Sequence, residues 1–149
     1  MATNSTAVAG EVGDPNILGN LTVRGKALTI SKNAKIGYDT TAGAAVTQIT
    51  SRATGVTINA PCGTITTDTT SLAAESSAKF IVTNGCVEIG DVVVVCIQSG
   101  SVALNTHVEV TVVAAGSFTI TVINGNVAAG TAETGAIIIN FAVIKAVAA

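Results

Sequence analysis

Catalysis in water near neutral pH needs a base held against a nucleophile, two carboxylates flanking one bond, or a cluster of metal ligands. The chain of 149 residues holds one histidine. His107 sits in LNTHVEV, and its titratable neighbour at strand spacing is Glu109, two residues on and therefore on the same face. One imidazole beside one glutamate lacks both the third group that orients a triad and the further donors of a metal site. His107 therefore reads as a structural or surface residue. Asp14, Asp39, Asp68, Asp91, Glu75, Glu88, Glu109 and Glu133 are scattered mostly through loop-like text, where solvation and turn capping account for them. Cys62, Cys86 and Cys96 are odd in number and show no pairing at two-residue spacing. They read as reduced thiols acting as small buried hydrophobes, with a bridge between two of them as the alternative. Glycine clusters end strands without the helix and lysine that a phosphate-binding loop requires. Tryptophan is absent and Tyr38 is the only tyrosine, so aromatic platforms for sugars are missing. The expectation is a protein that is not an enzyme, with no catalytic residue, no cofactor and no metal.

The elements that carry these residues follow from composition. Charged residues make up 11% of the chain, the net charge is -2, and hydrophobic residues reach 48% with only 3% aromatic. Such a chain is neither a disordered polyelectrolyte nor a nucleic-acid binder. Valine, isoleucine, threonine and glycine suit pleated strands and tight turns better than helices. A surface with so few charges is expected to be covered in part by partners. The opening MATNSTAVAGEVGDPN lacks the basic start and apolar core of a secretory signal. The closing apolar run from Ala136 is shorter than the roughly 20 residues of a membrane span and contains Asn140 and Lys145. No membrane anchor and no nucleic-acid partner are expected.

Residues 1–35 are polar and rich in turn signals and are expected to form an extended N-terminal arm. Within it NLTVRG and ALTIS alternate Leu21 and Val23, then Leu28 and Ile30, against polar neighbours, as short strands with one buried side would. Such an arm commonly crosses to a neighbouring subunit or adds a strand to a sheet edge. Residues 36–149 are expected to form one antiparallel β-sandwich domain. Its candidate strands are VTQIT, GVTIN, GTITT, KFIVTNG, DVVVVCIQ, THVEVTVVA, GSFTITVING and AIIINFAVIK, separated by turn-forming clusters. SLAAESSA would accommodate one helical turn at most. The two Asn-Gly pairs, after FIVT and FTITVI, read as hairpin ends, because Asn-Gly accepts the positive φ of tight hairpins.

VVVVC and AIIINFAVI have no polar face, so both are expected at the centre of a sheet and covered on both sides. In the last strand Ile137, Ile139, Phe141 and Val143 would fill the core side. Ile138, Ala142 and Ile144, with Asn140 among them, would face the arm or a symmetry-related copy. Leu21, Val23, Leu28, Ile30, Ile138 and Ile144 are therefore the candidate contacts with another subunit or partner.

The stretch GYDTTAGAAVTQITSRATGVTINAPCGTITT, followed by FIVTNG, DVVVV, GSFTITVINGNVAAG and NFAVIKA, resembles a family of small tailed-bacteriophage virion proteins. The resemblance runs from Ile36 to Ala146, strongest at Gly37-Tyr38, Val46-Thr47-Gln48, Gly55–Asn59 and Asn140–Lys145. It departs at Thr41–Ala45, where glycines are usual. Proteins of this sort are similar to capsid decoration, or cement, proteins: jelly-roll or related β-sandwich modules, often homotrimers, that sit on the outer head surface and bridge coat subunits. The resemblance implies a virion structural protein made in the bacterial cytoplasm, whose partners are the major capsid protein and further copies of itself. The alternative is a tail or fibre component that recognises a host receptor through its loops.

Overall fold

A computed structural model of the chain describes residues 36–127 and 130–146. Eight strands follow one another: β1 (Gly43–Thr47), β2 (Val56–Thr57), β3 (Cys62–Thr66), β4 (Ser76–Thr83), β5 (Val92–Ser99), β6 (Thr106–Ala114), β7 (Ser117–Asn124) and β8 (Ile138–Ile144). The described residues contain no helix. The expected arm, with Leu21, Val23, Leu28 and Ile30, lies outside them.

The strands form two four-stranded sheets, ordered β1-β3-β8-β5 and β2-β4-β7-β6. Both sheets are mixed, which corrects the antiparallel expectation: β1 runs parallel to β3, and β2 parallel to β4. The cause is the path of the first half of the chain. It alternates between sheets strand by strand, so that strands two apart in sequence become neighbours entering their sheet in the same direction. Such parallel neighbours cannot be joined by a two-residue turn. The later pairings β3/β8, β5/β8, β4/β7 and β6/β7 are antiparallel.

One apolar core takes side chains from both sheets. Ile65, Val93, Ile139, Phe141 and Val143 enter it from the first sheet, and Val56, Phe80, Val82, Phe118, Ile120 and Val122 from the second. The rings of Phe118 and Phe141 meet with centroids 5.6 Å apart. As the last strand's alternation predicts, Ile137, Ile139, Phe141 and Val143 are all buried.

Three local expectations are corrected. First, β8 is an interior strand, but β5 is an edge, bonded among the described residues to β8 alone. Apolar residues at both parities report what can face a core, not how many neighbours a strand has. Second, neither Asn-Gly pair makes a hairpin turn, and neither asparagine adopts positive φ. Each instead buries its amide as a clamp. Asn84 Nδ2 donates to the Ala60 carbonyl at 2.8 Å and its Oδ1 accepts from Cys86 N at 2.8 Å. Asn124 Nδ2 donates to the carbonyls of Leu72 and Thr131, both at 3.0 Å. The two-residue hairpin joins β6 to β7 through Ala115-Gly116, with Gly116 at φ +76°. Third, no cysteine is fully buried: all three are free thiols, Cys62 and Cys86 half-buried and Cys96 exposed.

Tyr38 Oη donates to the Val143 carbonyl and so ties the segment before β1 to the end of β8. Asp91 stands at that same end of the first sheet. Its carboxylate accepts from Lys145 Nζ at 2.8 Å, from Glu88 N at 2.8 Å and from Ala146 N at 3.3 Å. The hydrogen bond from Lys145, ahead of that from Glu88 N, holds the Asp91 carboxyl below its usual range.

Candidate interaction surface

Alternation along each strand of the first sheet sends every second side chain away from the core. Register then aligns those side chains into rows across the four strands. Gly43, Cys62, Ala142 and Val94 form one row, and Ala45, Thr64, Asn140 and Cys96 the next. Thr47, Thr66, Ile138 and Ser99 form a third, and Ile144 faces Val92 at the margin. All are exposed or half-buried, and no residue of these four strands is charged. The candidate contacts Ile138 and Ile144 both belong to this face, the first half-buried and the second exposed.

The outer face of the second sheet has a different chemistry. Lys79, Thr121 and Glu109 align in one row, and Ser77, Ile123 and His107 in another. Lys79, Glu109 and His107 are exposed. His107 thus stands on a solvated strand face, and among the described residues no three His, Cys, Asp or Glu side chains converge as a metal site would require.

A buried carboxylate and a buried guanidinium lie instead at the end of the fold where β5 finishes and β8 begins. Glu133 is fully buried, although scattered acids were expected to be solvated. Its carboxylate accepts from Ser101 Oγ at 2.5 Å, Thr106 Oγ1 at 2.7 Å, Gly135 N at 2.7 Å, and Val102 N and Ala103 N at 3.2 Å. Its backbone bridges to Leu72 in both directions at 2.9 Å. Burial alone would raise the pKa of this carboxyl, but the donors from Ser101, Thr106, Gly135 and Val102 outweigh burial and bring it down to about 2.

Arg52 is buried in the same region. It donates from Nε to the Thr70 carbonyl at 2.5 Å, from Nη1 to Thr67 Oγ1 at 3.0 Å, and from Nη2 to the carbonyls of Gly135 at 2.8 Å and Glu133 at 3.3 Å. Burial lowers its pKa, while the charges of Glu133 and Asp68 pull the other way. The guanidinium reaches the backbone of residue 133 and not its carboxylate, so each ion is satisfied by its own set of dipoles. Gln48, also buried, completes the region: its Nε2 donates to the Arg52 and Thr54 carbonyls at 3.2 and 2.7 Å, and its Oε1 accepts from Asp68 N at 3.2 Å.

This cluster holds loops together. A general base works best with a pKa near the operating pH, and a carboxylate near 2 with its lone pairs already filled binds protons too weakly to activate Ser101. Sequence reasoning missed Glu133 because its partners Ser101 and Thr106 lie 32 and 27 residues away. No local pattern marks such a meeting.

No family model matches the chain, and neither a curated protein nor a solved structure shows significant similarity to it.

Proposed function

We propose that the chain is a virion structural protein, a decoration module that binds the outer surface of a bacteriophage head and stabilises the shell by bridging coat subunits. The observation that carries this reading is the uncharged, largely exposed outer face of the first sheet, which includes Ile138 and Ile144. A monomer gains nothing in solubility from such a face, whereas a module that spreads contact over coat protein and over further copies of itself has a use for it. The resemblance of Ile36–Ala146 to small phage virion proteins supports the same role. Two four-stranded sheets around one core suit a sandwich of the jelly-roll kind, with the parallel pairs β1/β3 and β2/β4 as departures from that plan.

In this reading the protein works as a homo-oligomer on the capsid surface, without catalysis, cofactor, nucleic acid or membrane. Residues 1–35 supply further coat or inter-subunit contacts. The test is the copy number of the chain relative to the major coat protein in purified particles. Hundreds of copies per particle are expected. A handful would overturn decoration in favour of a tail or vertex component that contacts the host.

A further inference from the structure

The four edges of the two sheets are not equally defended. An open edge offers unpaired N–H and C=O groups to another strand, and proteins guard against this with short strands, charges, proline or bulges. β2 has two residues and β1 five. β6 is long but carries His107 and Glu109 and has a register shift between Val110 and Val112. β5 has eight residues, VVVVCIQS, with no charge and no proline, and its register shift falls only at its far end, between Ile97 and Ser99. Val95 and Ile97 point toward the core yet remain half-buried, and Val92 and Val94 on the other side are about half exposed, at 51% and 49%. The core is therefore left incompletely covered along this edge.

We infer that the edge of β5, unpaired among the described residues, pairs antiparallel with β5 of a second copy, joining two first sheets into one eight-stranded sheet. This rests on the assembling role proposed above and names the contact that role would use between copies. The occupant follows from charge and symmetry. A strand without charge meets its own copy without like-charge repulsion, and a two-fold axis brings identical edges together antiparallel, the better-bonded arrangement. Size sets the strength. Eight paired residues run about 26 Å, and a strip about 15 Å deep covers roughly 400 Å² per copy, half of the about 800 Å² of a standard stable interface. Pairing is therefore concentration-dependent and is favoured where copies are held side by side.

Sedimentation of the full-length protein across a concentration series tests this. The wild-type mass is expected to climb from one chain to two. Val94→Lys, which puts a charge beside the edge at a half-exposed position, should weaken pairing about tenfold or more. Three variants should pair as wild type: Ala45→Lys on the same face but the opposite edge strand, Ile81→Lys on the other sheet, and Val23→Asp in the N-terminal segment. A single-chain mass up to about millimolar concentration, where even contacts of a few kcal/mol populate the pair, overturns the inference, as does a mass of three chains. Unimpaired pairing by Val94→Lys overturns it as well. Loss of pairing in Ala45→Lys would replace it with stacking of the uncharged faces, and loss in Val23→Asp with capture of the N-terminal segment. Copy number on particles is read separately, so pairing without abundant copies refutes decoration alone, and abundant copies without pairing refute the β5 contact alone.

Discussion

The outer face of the β1-β3-β8-β5 sheet and the closed end around Glu133 invert the usual placement of charge. The face is open to solvent and has no ionised group. The end is sealed from solvent and holds both a carboxylate and a guanidinium. In a globular protein solvated at every point, ions gather on the outside and buried ones are paired or rare. Here the interior ions are held by backbone and hydroxyl dipoles that fix where four loops run. The exterior lacks the ions that would keep another surface away. The difference teaches that the groups holding the fold and the face proposed to meet partners are separate sets of residues in this molecule.

The largest effect is expected at the closed end. Glu133→Ala leaves several buried donors without an acceptor and should cost about 3–5 kcal/mol, read as a lower urea midpoint with an unchanged slope. A loss below about 1 kcal/mol would mean that the loops hold without the carboxylate. Acid titration probes the same group. Its folded pKa, about 2, lies below the ordinary value of 4.5, so its contribution is fully present above pH 4.5 and fades as pH falls toward 2. The wild type should lose on the order of 3 kcal/mol across that window, and Glu133→Gln should show a flatter profile. Equal slopes in the two proteins would assign acid sensitivity to other groups.

On the open face the expected effects fall on assembly and spare the fold. Ile144 and Ile81 are matched in exposure, 54% and 56%, but lie on opposite sheets. Ile144→Asp should weaken particle attachment about tenfold or more, near 1.4 kcal/mol, while Ile81→Asp should stay within about threefold. Ile138→Asp, in the middle of the same face, should act in the same direction as Ile144→Asp. Equal behaviour of the Ile144 and Ile81 variants would erase the distinction between the sheets. The smallest effect is expected at Leu104, which is 99% exposed on the loop whose amides bind the Glu133 carboxylate. Leu104→Ser should change stability by less than about 0.5 kcal/mol in thermal unfolding, because polar contacts and not this side chain hold the loop.

Much of the architecture was legible in the sequence. Each of the eight candidate stretches overlaps a strand, VTQIT only at the last two residues of β1, and the two faces of β8 divide as its alternation predicts. The pairing was not, because periodicity describes one strand at a time. Nothing in VVVVC says that β5 has one neighbour, and nothing in the short gaps between β1 and β4 says that the chain changes sheet at each of them. The Asn-Gly rhyme marked two real and equivalent structures, but the buried amides of Asn84 and Asn124, not their backbone angles, are what the two sites share. The uncharged face could be read once Ile138 and Ile144 were assigned to one side of a strand. The Arg52 and Glu133 cluster could not, since it exists only where distant loops converge.

The position of β8 between β3 and β5 also sets an order of events during synthesis. The β2-β4-β7-β6 sheet is complete in sequence once residue 124 has been made, whereas β3 and β5 have no strand to join them until the last strand emerges. At that stage every strand of one sheet has been made, while the uncharged, apolar strands of the other still lack their centre. That interval is when such strands are most open to pairing with the wrong partner. A chain stopped just short of Ile138 would lack both the strand that joins β3 to β5 and the core side chains Ile139, Phe141 and Val143, so it is expected to expose apolar strands and to aggregate.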